Sequence, residues 1–484
     1  MTPWDGAAFE TAPPSPPRSG RSPVRTVTLK AALETADVRD GATLSFHHHL
    51  RDGDALMVRA LELCAKMGLR DLHIAPSSIF PCHAGLVPLI ERSIITRITT
   101  SYMNGPVADA VRAGKLATPA ILQTHGGRAA AIESGRLAID VAVIAAPGVD
   151  AQGNLSGSIG RSACGPLGYA KVDAGHAKHV IAVTDMADQV LPRTCIPRGQ
   201  VDQIVKVDSL GDAARIASGT TARAPGPEGE KIAAMTSALI GLTEMRAPGF
   251  SFQTGAGATS IAVAKALGPL MAERGIVGDF ACGGITAPLV EMHEAGLFRE
   301  LRDVQAFDQA AVRSYAADPT HLGISASDYA SPARADAVAH QLGAVVLGAT
   351  EVDRNLNVNV TTTSDGRIIG GSGGHSDVAG GARMTIVTTS LHSKSGPKIL
   401  RDVLHRTTPG ASIDAVVTEA GVTLCSQRWL HAAKDLQAAG IPMLSRHNLF
   451  GSHGNTAPRE WPEGRIVAIS EYPDGRVIDV IRAN

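Results

Sequence analysis

The chain has 484 residues, enough for two or three domains of ordinary size, and its 44% hydrophobic content suffices for real cores. A formal net charge of −1 argues against nucleic acid or an anionic membrane as the main partner and favours small ligands. No apolar run approaches the roughly 20 residues that a membrane-spanning helix needs, and six cysteines without a CxxC pair suit reduced thiols, mostly core filler, in a cytoplasmic protein.

The chain opens with "MTPWDGAAFETAPPSPPRSGRSPVRT", which lacks the basic start and apolar stretch of a secretory signal. Its Pro, Ser, Gly and Arg content predicts a flexible leader over residues 1–29, with order beginning near "VTLKAALETADVRDGATLSF". From there, short runs rich in Val, Ile and Ala alternate with helical patterns: "DLHIAPSS", then "HAGLVPLIERS", "DVAVIAAP", "KHVIAVTD", and later "AVVLGAT" and "MTIVTTS". Buried parallel strands read as continuous apolar runs with helices crossing between them, so the pattern predicts an α/β protein with largely parallel sheets.

Early in the first half, "SFHHHLRDGD" offers His47, His48 and His49 beside Arg51. Consecutive residues of a strand or helix point apart, which argues against a triple-histidine metal site; binding a polyanionic substrate is the better functional use. "QTHGGRAAAIESG" adds His125 and Arg128 at a glycine turn, and "GSIGRSACG" adds Arg161. Fork-shaped guanidinium groups suit carboxylates. Cys164 in "SACG" has no flanking base and reads as an inert buried thiol.

An internal duplication organises the chain. "DVAVIAAPGVDAQGNLSGSIG" from Asp140 matches "GAVVLGATEVDRNLNVNVTTT" from Gly343: an apolar strand, a small-residue turn, Val-Asp, a spacer, then Asn and an alternating segment. Downstream, "DAGHAKHVIAV" faces "DVAGGARMTIV" with the register slipping by one or two residues. Two α/β halves follow, residues 30–224 and 225–484, with "TTARAPGPEG" as linker. Glu351 of the second copy aligns with Gly148 of the first, so only one half carries a carboxylate at this turn.

The second half also holds two glycine loops. In "FSFQTGAGATSIAVAKAL", Gly255 and Gly257 sit between a strand-like run and a helical one, where backbone N–H groups approach an anion without a Cβ in the way. The full dinucleotide fingerprint and the ATP-binding loop are both missing. In "IIGGSGGHSDVAGGAR", Gly371, Gly373 and Gly374 precede His375 and Asp377. Two such loops near Glu351 describe a dry, donor-lined pocket suited to acyl exchange at a thioester. Glu419 in "VVTEAGV" is the rival carboxylate, without a glycine loop close behind it.

Taken together, "SFHHHLRDGD", "TSYMNGPV", "THGGRA", "RSACGPLGYAKVDA", "FSFQTGAG", "ISASDYA", "LGATEVDRNLNVNV" and "GGSGGHSD" resemble the citrate lyase alpha chain, in order from about residue 40 to "PDGRVIDVIR". The resemblance implies two tandem CoA-transferase-like (NagB/RpiA-like) open-sheet domains in a cytoplasmic homo-oligomer. The implied reaction converts acetyl-carrier and citrate to citryl-carrier and acetate, beside a lyase (beta) chain and an acyl-carrier (gamma) chain. The thioester would be that of CoA or of the carrier's dephospho-CoA-derived arm, with no cofactor or metal bound by this chain. Glu351 then stands at the position of the glutamate that attacks the thioester in related transferases. In those relatives, loops matching Gly255–Gly257 and Gly371–Gly374 line the thioester site. His47, His49, Arg128, Arg161 and His375 are the candidate citrate contacts. Two routes stay open, a covalent acyl-Glu351 and a ternary complex passing through an acetyl-citrate anhydride. A CoA-transferase for another short or dicarboxylic acid, and a non-enzymic scaffold, are the alternatives.

Overall fold

The computed structural model describes residues 14–217, 224–452 and 462–483. Two large open sheets carry the fold. In the first, neighbouring strands run in the order Val24–Thr26, Gln203–Lys206, His179–Thr184, Val141–Ala145, Thr43–Phe46, Leu72–Pro76, Ile95–Thr100, Ala120–Leu122, Ile466–Glu471 and Val477–Arg482. All pair in parallel except the last two, which form an antiparallel hairpin. The second sheet runs Gly421–Leu424, Ala415–Thr418, Met384–Thr388, Ala344–Gly348, Ser251–Thr254, Gly278–Ile285, Phe298–Ala306 and His321–Gly323, again parallel but for the edge pair Ala415–Thr418 and Gly421–Leu424.

From Gln203–Lys206 to Ala120–Leu122, and from Ala415–Thr418 to His321–Gly323, the two sheets follow one plan. The duplication seen in the sequence is therefore a duplication of fold. Val141–Ala145, Gly148–Val149 and Leu155–Ser156 recur as Ala344–Gly348, Glu351–Asp353 and Val358–Asn359, with starts at 141, 148 and 155 against 344, 351 and 358. The turn between the short strands is built alike in both copies. Asp150 accepts the N–H groups of Gln152 and Asn154 and the Asn154 amide, while Asp353 accepts those of Asn355 and Asn357 and the Asn357 amide. An aspartate that closes a loop on its own downstream N–H groups is a local device, which is why the Val-Asp…Asn pattern was visible in sequence.

Strand Val141–Ala145 is buried at every residue, as is Met384–Thr388. Parallel strands covered by helices on both faces require that. Helix starts follow their capping chemistry. Thr124 accepts the N–H of Gly127 ahead of helix His125–Glu133, and Ser325 and Asp328 form a reciprocal capping box before Ala326–Ala330.

Two sequence expectations are corrected. Residues 14–28 are not a flexible leader, because Val24–Thr26 pairs with Gln203–Lys206 and Arg21 donates to the carbonyl of Ala177 and pairs with Asp202. Residues 1–13 lie outside the described residues. The division at 225 fails at the C-terminus, where Ile466–Glu471 adds beside Ala120–Leu122 and returns the chain to the first sheet. The expected linker "TTARAPGPEG" falls partly outside the described residues and ends inside helix Pro227–Leu242.

The halves are locked together by close backbone approaches. A Cβ at Gly126 would stand 1.8 Å from the Ala330 carbonyl oxygen, and one at Gly168 2.4 Å from that of Val304. Lys171 Nζ donates to the Gly323 carbonyl at 2.7 Å, and the Arg51 guanidinium lies 4.5 Å over the Phe307 ring. Among the described residues, no helix is long and apolar enough to cross a membrane.

Candidate active site

Glu351 begins the middle strand of a small three-stranded sheet, Val358–Asn359, Glu351–Asp353 and Ile399–Leu400. It is 1% exposed. The antiparallel register sets Glu351 opposite Asn359, whose amide donates to Oε2 at 2.9 Å, and the Ser364 hydroxyl donates to Oε1. Asn359 is itself pinned, since its Oδ1 accepts the N–H groups of Thr361 and Thr362 at 3.0 Å and its amide also reaches the Thr362 carbonyl. Asn359 is thus a fixed donor to one carboxylate oxygen, and the exposed Ser364 hydroxyl serves the other. That is the preorganisation a reacting or orienting carboxylate requires.

In the first copy the same positions are Gly148 and Ser156, also paired. A Cβ at Gly148 would meet Ile159 at 2.5 Å, so side chains fill the space that Glu351 occupies in the second copy. Asn359 escaped the sequence reading. Its signal was available, because Glu351 and Asn359 depart together from the Gly148 and Ser156 of the duplicate.

Gly255 and Gly257 lie along the same edge, at the C-terminal end of strand Ser251–Thr254. The Gly255 N–H donates to the Val346 carbonyl in the neighbouring strand that leads to Glu351, and no atom lies within 4 Å of a Cβ built at Gly257. The second glycine loop crosses between the halves. Gly370 backs onto the Val360 carbonyl, Gly371 onto that of Ser101, and Gly373 pairs with Thr124, its carbonyl accepting the His125 N–H at 2.8 Å. A Cβ at Gly371 would sit 2.4 Å from Ser101 O, so backbone runs against backbone there and glycine is required.

His375 follows that loop and is buried. Its Nε2 donates to the Gly348 carbonyl at 3.2 Å and its Nδ1 accepts from the Thr408 hydroxyl at 2.7 Å, a pairing that defines the neutral tautomer. Burial pushes its pKa down to about 4. It braces the turn three residues before Glu351, with both ring nitrogens bonded to protein partners.

Three further candidates are buried against protein partners. His47 donates from Nε2 to the Ala145 carbonyl at 3.0 Å, and burial, helped by the nearby His49, pushes its pKa down to about 3. His49 turns the other way, 3.2 Å from Asp54, an aspartate that also meets His83 at 3.0 Å. Burial alone would raise Asp54, but the His83 hydrogen bond and the His49 charge hold it at about 2. Arg128, 2% exposed, forms a two-point ion pair with Asp173 at 2.9 and 3.2 Å and donates to the Ala75 carbonyl at 2.7 Å. These side chains hold the first half together. Arg161 differs, with a side chain 65% exposed that leans on buried Asp185 at 3.4 Å.

Glu419, the rival carboxylate, accepts the Leu391 N–H with both oxygens at 3.0 and 3.1 Å and so anchors a surface hairpin. At the seam between the halves, Asp377 accepts the Gly126 N–H at 3.0 Å. Its burial lifts its pKa to about 7 against that bond. Cys164 is buried and its thiol is pushed up by burial, as expected of core filler.

The family model described as "Citrate lyase, alpha subunit (CitF)" matches residues 24–484. The chain belongs to the citrate lyase alpha subunit family. It is 41% identical to the citrate lyase alpha chain of Escherichia coli (strain K12), covering 99% of this chain and 94% of that one. With the Klebsiella pneumoniae citrate lyase alpha chain the identity is 40%, over 94% and 90%. Among solved structures, the alpha subunit assigned to citrate lyase from Streptococcus mutans, in complex with citrate, superposes with a TM-score of 0.91 at 39% identity, over 97% of this chain and 94% of that one. A Pseudomonas malonate decarboxylase hetero-tetramer in complex with malonate shares the fold, with a TM-score of 0.67 at 16% identity over 89% and 83% of the two chains. The citrate lyase alpha subunit family thus supplies the chemical context for the buried carboxylate.

Proposed function

We propose that this member of the citrate lyase alpha subunit family exchanges acyl groups on a thioester: acetyl thioester and citrate give citryl thioester and acetate. The observation that carries the reading is Glu351, a fully buried carboxylate with both oxygens held by donors, present in one copy of a duplicated fold and absent from the other. The tandem sheets are read as CoA-transferase-like (NagB/RpiA-like) domains. The thioester is that of CoA or of a dephospho-CoA-derived arm on a carrier chain, and a separate lyase chain cleaves the citryl product, in a cytoplasmic complex.

Two routes use the same geometry. In the covalent route, a Glu351 oxygen attacks the acetyl carbonyl carbon, the C–S bond breaks, and thiolate leaves behind an acetyl-Glu351 anhydride. Thiolate then returns to the glutamyl carbonyl and expels acetate, forming a Glu351 thioester. Citrate attacks that thioester, and the thiolate released takes the citryl group from the resulting anhydride, which restores the carboxylate. In the ternary route, a citrate carboxylate attacks the acetyl thioester directly, and thiolate attacks the citryl side of the acetyl-citrate anhydride and expels acetate. Glu351 then orients the reactants. Carboxylates are weak nucleophiles in water, so either route relies on holding the reactants in place away from bulk solvent. Gly255 and Gly257 border the edge where the acyl group would lie; the Gly255 N–H is spent on the Val346 carbonyl, which leaves the Gly257 N–H as the donor for a developing oxyanion.

The test is Glu351→Gln assayed for exchange of acetyl-CoA with citrate by the purified chain alone. We expect a loss of at least about a thousandfold, and near wild-type turnover would refute the assignment. Borohydride treatment after incubation with acetyl-CoA separates the routes. Inactivation with label on Glu351 marks the covalent one, and full recovery marks the ternary one. Exchange by the isolated chain also separates an enzyme from a scaffold.

A further inference from the structure

Acyl exchange at Glu351 meets an electrostatic problem. The acid substrate enters as an anion, into a site that already contains the carboxylates of Glu351 and, nearby, Glu419. Of the candidates expected to neutralise it, Arg128 is closed on Asp173, His47 and His49 are buried against protein partners, and Arg161 leans on Asp185.

The small sheet around Glu351 supplies a cation in their place. Val352 pairs in parallel with Ile399, and the Val352 N–H donates to the Lys398 carbonyl at 2.8 Å. Lys398 is therefore the cross-strand neighbour of Glu351, just as Asn359 is on the other side. Adjacent strands lie about 4.8 Å apart and side chains of paired residues share a face, so Asn359, Glu351 and Lys398 form one row. The row runs outward, from buried Asn359 and Glu351 to half-buried Lys398.

Lys398 is held where it is by its main chain. Its N–H donates to the Leu391 carbonyl at 2.9 Å, and the Leu391 N–H is gripped by Glu419. The ammonium makes no ion pair with either carboxylate among the described residues, although burial, which lowers its pKa, is opposed by the charges of both Glu419 and Glu351. The arrangement is a partly desolvated cation between two carboxylates and at the outer end of the reactive row.

We propose that Lys398 is the residue that binds a carboxylate of the incoming acid and positions it beside Glu351. This deepens the acyl-exchange reading and rests on it. The ammonium offers three donors on a flexible stem, which suits a site that takes in one carboxylate, citrate, and releases another, acetate.

The experiment compares the wild type with Lys398→Met, Lys398→Arg and, as a charge control, Lys394→Met on the exposed hairpin tip. Exchange kinetics are read separately for the acid and for acetyl-CoA, and citrate binding is measured by calorimetry without thioester. Losing one charge-assisted hydrogen bond to substrate predicts a rise of about tenfold or more in KM for citrate and acetate, and in the citrate Kd. The KM for acetyl-CoA should stay within about twofold, with most of the loss recovered in Lys398→Arg and no effect of Lys394→Met. Unchanged acid KM and citrate Kd in a folded Lys398→Met, or a rise confined to the acetyl-CoA KM, would overturn the assignment while leaving acyl exchange intact. If Lys398→Met does not fold, Lys398→Gln, which keeps a polar end without the charge, decides: a rise of about tenfold in the acid KM supports the assignment, and an unchanged citrate Kd overturns it. A wild-type chain that makes no citryl thioester overturns the acyl-exchange reading itself, and this assignment with it.

Discussion

Replacing Arg128 by Met should destabilise the first half without acting on substrate. The guanidinium makes two short bonds to Asp173 and one to the Ala75 carbonyl, and both charged side chains are at most 2% exposed. Burial raises the Asp173 pKa and Arg128 opposes it, so removing the cation leaves an uncompensated buried carboxylate that must take up a proton or draw in water. Breaking a buried pair from one side costs about 3–5 kcal/mol, which for domains of this size lowers the unfolding midpoint by roughly 6–20 °C. Arg128→Lys keeps the charge but not the fork, and should fall between. The double variant Arg128→Met with Asp173→Leu should recover much of the loss, since the partner charge is then gone as well. Thermal unfolding of the four proteins, with citrate KM measured on each below its transition, tests this. A tenfold rise in citrate KM for Arg128→Lys at an unchanged midpoint would show that the guanidinium reaches substrate and would refute the argument.

Further outcomes follow from buried groups and close contacts. Burial holds His47 and His125 at about 3 and His73 and His375 at about 4. The unfolded chain binds protons below about pH 6.5 that the folded chain refuses. Stability should therefore fall as pH drops below that point, by up to roughly 1.4 kcal/mol per pH unit for each histidine. Asp377, lifted to about 7, contributes with the opposite sign and weakens the fold as pH rises from 4 towards 7. Urea midpoints between pH 5 and 7.5 that do not fall on acidification would contradict the balance. Gly126→Ala should cost roughly 3 kcal/mol or more, because its Cβ would press on the Ala330 carbonyl. Gly257→Ala meets open space and should cost less than about 1 kcal/mol while raising the acetyl-CoA KM; paired melting and kinetic measurements separate the two glycines.

What sequence could reveal here was local. Apolar runs such as Val141–Ala145 became buried parallel strands because nothing outside the run is needed to recognise it. The Asp150 and Asp353 turns were visible for the same reason, each closing within four residues. What misled was long-range. Arg128 beside a glycine turn has the chemistry of a carboxylate-binding residue, and its true carboxylate lies 45 residues on, at Asp173. Residues 14–28 carry the composition of a free leader, yet Val24–Thr26 finds an open sheet edge at Gln203–Lys206. The hairpin Ile466–Arg482 likewise satisfies an edge left open by the first half, and no pattern within it names that edge.

The site itself follows from the same logic of duplication and departure. A repeated fold offers two equivalent strand ends, and both began with the same aspartate-closed turn. In one copy the paired positions are Gly148 and Ser156, with the Ile159 and Leu191 side chains packed where a side chain at Gly148 would lie. In the other they are Glu351 and Asn359, and the space is filled by a carboxylate and the amide that aims it. A buried carboxylate without a donor would be costly, so Glu351 could be accommodated only with a partner such as Asn359 in place. Lys398 completes the set from the third strand. Its position follows from the Val352 to Ile399 register, so a cation beside the carboxylate is a consequence of how the short strands pair. The asymmetry between the two copies thus rests on a few substitutions in one turn, within a strand order that both halves share.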